Sequence, residues 1–190
     1  MDRRKIWLEE GFVLVIENGF AGFKVDVLCS KIKIAKTSFY HFFGSRELFL
    51  EELIRYWSSE KSPELLISLQ KCAAGSLPKF ITHKKKFLSF YCFQILVRQY
   101  VVDNPELLKI VENTEDAVWQ RTDDFVISHI PHDELIPQMK SLIHTFLAGW
   151  DYLYAFKIYH DINARAIPIA ELQIFLSNLI NKSKDPVLVS

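Results

Sequence analysis

Apolar residues recur along this chain at helical spacing, and no stretch shows the sustained alternation of a strand. Trp7, Gly11, Leu14 and Val15 fall at i, i+4, i+7 and i+8, with Leu8 and Phe12 widening the stripe. This predicts a first helix from about Arg3 to Asn18. Gly19 is placed to end it in a left-handed conformation, so that Phe20 folds back onto the apolar face. Gly11 inside the helix costs up to about 1 kcal/mol against Ala, which a close helix crossing would explain. Val25, Leu28, Cys29 and Ile32 form the seam of a second short helix, and Lys33, Ile34 and Ala35 form a turn. A third helix over about Lys36–Phe42 turns Phe39 and Phe43 inward and leaves Lys36, Thr37, Ser38, Tyr40 and His41 outside. Gly44 breaks the chain and Ser45 caps a fourth helix, with Glu47 suited to its dipole and Phe49, Leu53 and Tyr56 or Trp57 inside.

The rest reads as helix almost throughout. Pro63 marks a kink or restart, and Gly75 to Pro78 a loop. Lys79 to Val102 is a long segment whose FLSFYCFQILV portion is apolar nearly all round, as at the centre of a bundle. Asn104-Pro105 opens a helix reaching about His129, Pro131 stops it, and Glu134–His160 and Pro168–Asn181 follow. The division expected is a head at 1–45, a connecting helix at 46–60, a helical body at 61–184 and a loose tail at 185–190. The fold class is all-α.

At 190 residues with 49% hydrophobic and 14% aromatic content, a packed core is expected. Net charge is zero, but Lys24, Lys31, Lys33, Lys36 and Arg46 face a single acid, Asp26, between residues 24 and 46. That local excess is what phosphate contact requires, and a solvated helical face would show it too. Three short helices at this spacing suit a helix-turn-helix, with small hydroxyls and a lysine at the start of the third helix to reach phosphates and base edges. Cys29, Cys72 and Cys92 lie far apart in apolar patterns, which favours reduced thiols. The histidines at 41, 83, 129, 132, 144 and 160 make no metal-ligand pattern, and no nucleophile triad, phosphate-cradling glycine loop or paired catalytic carboxylates stand out. No cofactor and no enzymatic activity are expected. The N-terminal MDRRKIWLEEG lacks the apolar core of an export signal, and no run approaches the roughly 18 apolar residues of a membrane span, so a cytoplasmic protein without membrane attachment is expected.

The first 55 residues or so resemble the head of the TetR family of transcriptional regulators. Gly19-Phe20 resembles the Gly-aromatic end of the family's first helix, and Val25, Leu28 and Cys29 its second. Lys36, Ser38, Phe39, Tyr40, His41, Phe42 and Phe43 resemble its recognition helix, and Ser45, Arg46 and Glu47 its Ser-Lys-Glu opening. Lys33 stands where the family commonly has Gly, Ala35 where it has a Ser or Thr cap, and Lys24 where it has a capping Thr.

The resemblance implies an all-α homodimer that binds operator DNA and responds to a small molecule. The expected role is a repressor released by an unidentified ligand, for which the aromatic body favours apolar or amphipathic character. It implies DNA contacts at Lys24, Lys36, Thr37, Ser38, Tyr40, His41 and Arg46. It implies a dimer face on the last two long helices, at Leu135, Met139, Leu142, Gly149, Leu172, Phe175, Leu176 and Leu179. Phe90, Trp119, Phe146, Trp150 and Tyr154 are candidates for lining a ligand cavity, although a helical stripe of aromatics is as readily core. The alternative is a helical module for protein or lipid partners whose head no longer binds DNA.

Overall fold

The computed structural model describes residues 2–72 and 88–129, with side-chain surroundings as far as residue 121, and all regular structure among them is helical. The helices are α1 (Arg3–Gly22), α2 (Val25–Ile32), α3 (Lys36–Phe43), α4 (Arg46–Tyr56), α5 (Ser62–Cys72), α6 (Leu88–Tyr100) and α7 (Pro105–His129), with a π-helical turn over Trp57–Lys61. They fall into two compact units, Met1–Leu65 with Ser89–Val118, and Leu66–Leu88 with Trp119–Ser190. The first unit holds the helix-turn-helix and α6. The expected helices Glu134–His160 and Pro168–Asn181, the 75–78 loop, the first part of the Lys79–Val102 segment and the tail lie outside the described residues.

α1 opens at Asp2, whose carboxylate accepts the Arg4 N–H at 2.9 Å. The helical path breaks at Gly19 (φ 70, ψ 169), a combination open essentially to glycine alone. One further turn follows, and Phe20 meets α6 there, stacked 4.3 Å from Tyr100 and tilted against Phe93 at 5.5 Å. Phe12 stacks on the same Phe93 at 4.8 Å. The expected seam of α1 is buried throughout, from Trp7 and Leu8 to Val15.

Gly11 marks the crossing with α4. A Cβ there would lie 2.9 Å from Phe49 Cε1 and closer still to Cζ. Phe49 is fully buried, so its ring has nowhere to go. From Gly11 it reaches Phe23 (5.2 Å), Phe39 (5.1 Å) and Phe43 (4.8 Å), while Trp7 meets Phe39 edge-on at 5.6 Å. Each such ring contributes about 1.5–3 kcal/mol by leaving water, and the pairs add specific orientation.

Ser45 caps α4 by accepting the Leu48 N–H at 3.1 Å. α4 runs on into α5 through the π turn, where the Ser62 N–H bonds the Trp57 carbonyl. Pro63 explains the widening: it lacks an N–H, and its ring would crowd the carbonyl four residues back in a regular helix. Trp57 is fully buried and stacks on Phe90 at 5.0 Å. Asn104 caps α7 through its side chain to the Leu107 N–H (3.1 Å), with Pro105 at the first helical position. Buried Glu115 on α7 takes a forked bond from Arg98 on α6, Ser58 and Thr114 share a 2.7 Å hydrogen bond, and Arg55 meets Glu106 at 2.5 Å.

Replacing Gly11 with Ala will destabilise the chain by about 1–3 kcal/mol, because overpacking against Phe49 outweighs the gain in helix propensity. Denaturant unfolding measures it. Lys33→Gly will have the opposite sign and stabilise by about 0.5–1 kcal/mol. The substitution relieves a left-handed residue (φ 57, ψ 40), against a smaller loss to unfolded-chain entropy.

Candidate nucleic-acid interface

The surface expected to meet DNA is built from α2, its turn and α3. Val25, Leu28 and Cys29 bury one side of α2, while Ile32 is only half-buried. Lys33 then takes the left-handed conformation expected where a glycine is usual, and both its N–H and that of Ile34 (3.1 Å) bond the Cys29 carbonyl. Neither helix has a side-chain N-cap: Lys24 and Ala35 occupy those positions without a capping bond. α3 therefore owes little to its own ends. It is held by Phe39 and Phe43, 0% and 5% exposed, seated on Trp7 and Phe49.

With those two rings fixed, helical geometry decides what remains outside. Lys36, Thr37 and His41 are exposed, Tyr40 is 44% exposed with its ring edge-on to Phe39, and Ser38 is half-buried. Lys24 is exposed at the start of α2. The structure thus gathers Lys24, Lys36, Thr37, Ser38, Tyr40 and His41 on the helix-turn-helix with side chains accessible to a partner.

The electrostatics differ from the simple charge excess in the sequence. Lys36 Nζ lies 2.7 Å from Asp26 Oδ1, and this hydrogen bond raises the lysine above its ordinary pKa. Lys31 sits 3.3 Å from Glu10 and 4.0 Å from Glu17, two acids of α1 that a count over residues 24–46 leaves out. Among the described residues, Lys24 and Lys33 are the cations of this segment for which the structure shows no ion pair. Glu47 at the start of α4 is held below the usual carboxylate range, first by a backbone hydrogen bond and then by Ser45 and Arg46. A phosphate that engages Lys36 must exchange with Asp26. Asp26 is the residue whose part in the site sequence reasoning missed, although its sign was visible.

Arg46 is partly committed within the fold. Its guanidinium donates from Nε to the Phe23 carbonyl (3.2 Å) and from Nη2 to the Phe20 carbonyl (2.6 Å), with Nη1 3.5 Å from Glu47. Nε and Nη2 are thus turned to the α1–α2 connection, while Nη1 faces Glu47 and the side chain stays 31% exposed.

The expected cavity residues divide. Phe90 is 2% exposed and packed on Trp57 and Tyr91 in the first unit, which is the core-filling arrangement. Trp119 is half-buried and belongs to the second unit. Phe146, Trp150 and Tyr154 lie outside the described residues, as does the whole expected dimer face of Leu135, Met139, Leu142, Gly149, Leu172, Phe175, Leu176 and Leu179. No group of three potential metal ligands occurs among the described residues, and none of their helices is long and apolar enough to cross a membrane.

No protein-family model matches the chain, and no curated protein sequence does. Among solved structures, it is similar to the crystal structure of a proposed TetR-family transcriptional regulator from Rhodococcus sp.. The TM-score is 0.59 at 14% sequence identity, covering 94% of this chain and 97% of that one. The fold is TetR-like. At such identity the TetR-like likeness speaks for architecture, while the chemistry of the face rests on this chain's own residues.

Asp26→Asn removes the internal partner of Lys36, so if Lys36 meets phosphate as expected it will tighten binding to mixed-sequence duplex DNA by about 1.5- to 5-fold, the range of an exposed ion pair. Fluorescence anisotropy at moderate salt reads this change.

Proposed function

We propose that this protein is a dimeric, ligand-responsive transcriptional regulator that represses by binding operator DNA. Lys24, Lys36, Thr37, Ser38, Tyr40 and His41 form its duplex-facing surface. The observation that carries the reading is the two-sidedness of α3: Phe39 and Phe43 are locked into an aromatic cluster, while the lysine, the hydroxyls and the histidine are left outside. A rigid short helix with that surface suits a major groove, where hydroxyl and cationic groups meet phosphates and base edges. The TetR-like architecture supports it, since the similar solved structure is described as a transcriptional regulator.

In this reading two copies pair through the helices expected at Glu134–His160 and Pro168–Asn181. Their recognition helices then fall about one helical turn of DNA apart. An apolar or amphipathic effector bound among body aromatics, with Trp119, Phe146, Trp150 and Tyr154 as proposed contacts, prefers a different separation. Its differential affinity for the two shapes sets how far operator occupancy falls.

A gel-shift titration against salt tests the interface. Lys36→Ala will weaken binding and lower the salt slope by about one, as expected when one phosphate-neutralising cation is lost. Tyr40→Ala will weaken binding by about tenfold through loss of a hydrogen bond to a charged group. Weak binding that is unchanged in both variants would favour a helical module with a silent head.

A further inference from the structure

We propose that Arg46 is a positioning residue for DNA binding. It is a latch that fixes the α1–α2 connection against the start of α4, and it does not contact phosphate. The inference rests on the DNA-binding reading above and assigns this residue a part that the family resemblance does not.

The break at Gly19 creates the need. A helix end leaves its last carbonyls without intrahelical partners, and here the chain leaves α1 through one short turn before α2 begins. Phe20 and Phe23 are both buried, 5% and 2% exposed, and the bonds to their carbonyls are shielded in part from water, where leaving an acceptor unmet is costly. The guanidinium meets both at once, with Nε on Phe23 and Nη2 on Phe20. The planar fork of arginine reaches two acceptors in fixed directions, which a lysine ammonium on a flexible stem does not reproduce. The Phe23 ring lies under the same group, 6.0 Å from its carbon to the ring centroid.

Placement argues the same way. Arg46 is the first residue of α4, where a positive charge opposes the helix dipole, so α4 itself gains nothing from a cation there. Glu47 beside it and the two carbonyls offset that cost. Two of the three guanidinium nitrogens meet backbone carbonyls of the α1–α2 connection, and the third faces the exposed Glu47 carboxylate at 3.5 Å. The segment they grip carries Phe20 on Tyr100 of α6 at one end and leads directly into α2 at the other. The latch therefore fixes residues 20–23 between α6 and the recognition unit.

The test compares Arg46→Lys and Arg46→Met with the wild-type chain, using amide hydrogen exchange and binding to a mixed-sequence duplex across salt. The latch predicts faster exchange by about tenfold in both variants at the Leu28 amide, which bonds the Lys24 carbonyl at the start of α2, with lysine failing to rescue. It also predicts weaker DNA binding with an unchanged salt slope. A phosphate contact predicts the reverse pattern: normal exchange in both, a slope lower by about one in Arg46→Met, and full recovery in Arg46→Lys. That pattern overturns the proposal. Should the variants not fold, the Arg46 Nε–H resonance of the wild-type chain decides. It stays in place on saturation with duplex if the latch is right, and it shifts if the group moves to a phosphate. If no form binds DNA, the exchange and resonance measurements still judge the latch, and the DNA-binding reading fails separately.

Discussion

The seating of the Phe49 ring on the bare backbone of Gly11 is the contact on which the head depends. α1 and α4 cross closely enough only because position 11 has no side chain, and that closeness brings Phe49 under Phe39 and Phe43. α3 has eight residues and no side-chain N-cap, too little to hold itself as a helix in water. Its orientation comes from the aromatic floor. Once Phe39 and Phe43 are seated, the 3.6-residue repeat leaves Lys36, Thr37, Tyr40 and His41 no direction but outward. Core packing and the proposed function are thus two sides of one short helix.

Charge plays a quieter part than the sequence suggests. The head carries lysines, but much of their charge is already answered within the fold, by Asp26 at Lys36 and by Glu10 and Glu17 at Lys31. These exposed pairs are weak and screened by salt, so a polyanion displaces them at small cost. In the proposed reading the net effect is a face that attracts phosphate locally without making the whole chain basic. Specific binding then has to draw on the fit of α3 and its hydroxyls more than on bulk electrostatics.

Local features were legible in the sequence because they depend on neighbours a few residues away. The α1 seam, the break at Gly19, the Ser45 cap and the α7 span Pro105–His129 follow from periodicity and backbone chemistry, while the left-handed Lys33 follows from the family resemblance, which has glycine there. Gly11 reads as a crossing point, although only the fold shows that Phe49 is what crosses it. What the sequence hid is non-local. Glu10 and Glu17 reach Lys31 from a different helix, and Arg46 finds carbonyls 23 and 26 residues earlier. Carbonyl acceptors carry no signature in the sequence, so a cation that serves them looks the same as one awaiting phosphate. Phe20 likewise reads as folding onto its own helix, whereas it joins Phe12 on Phe93 of α6.

The most direct measurement of the central claim is selection of bound fragments from a pool of random duplex DNA by the full chain. The account predicts enrichment of a two-fold symmetric site whose half-sites are centred about one helical turn apart, or a multiple of it, as two paired recognition helices require. Recovery of fragments with no common sequence, at an affinity indifferent to the residues exposed on α3, would contradict it.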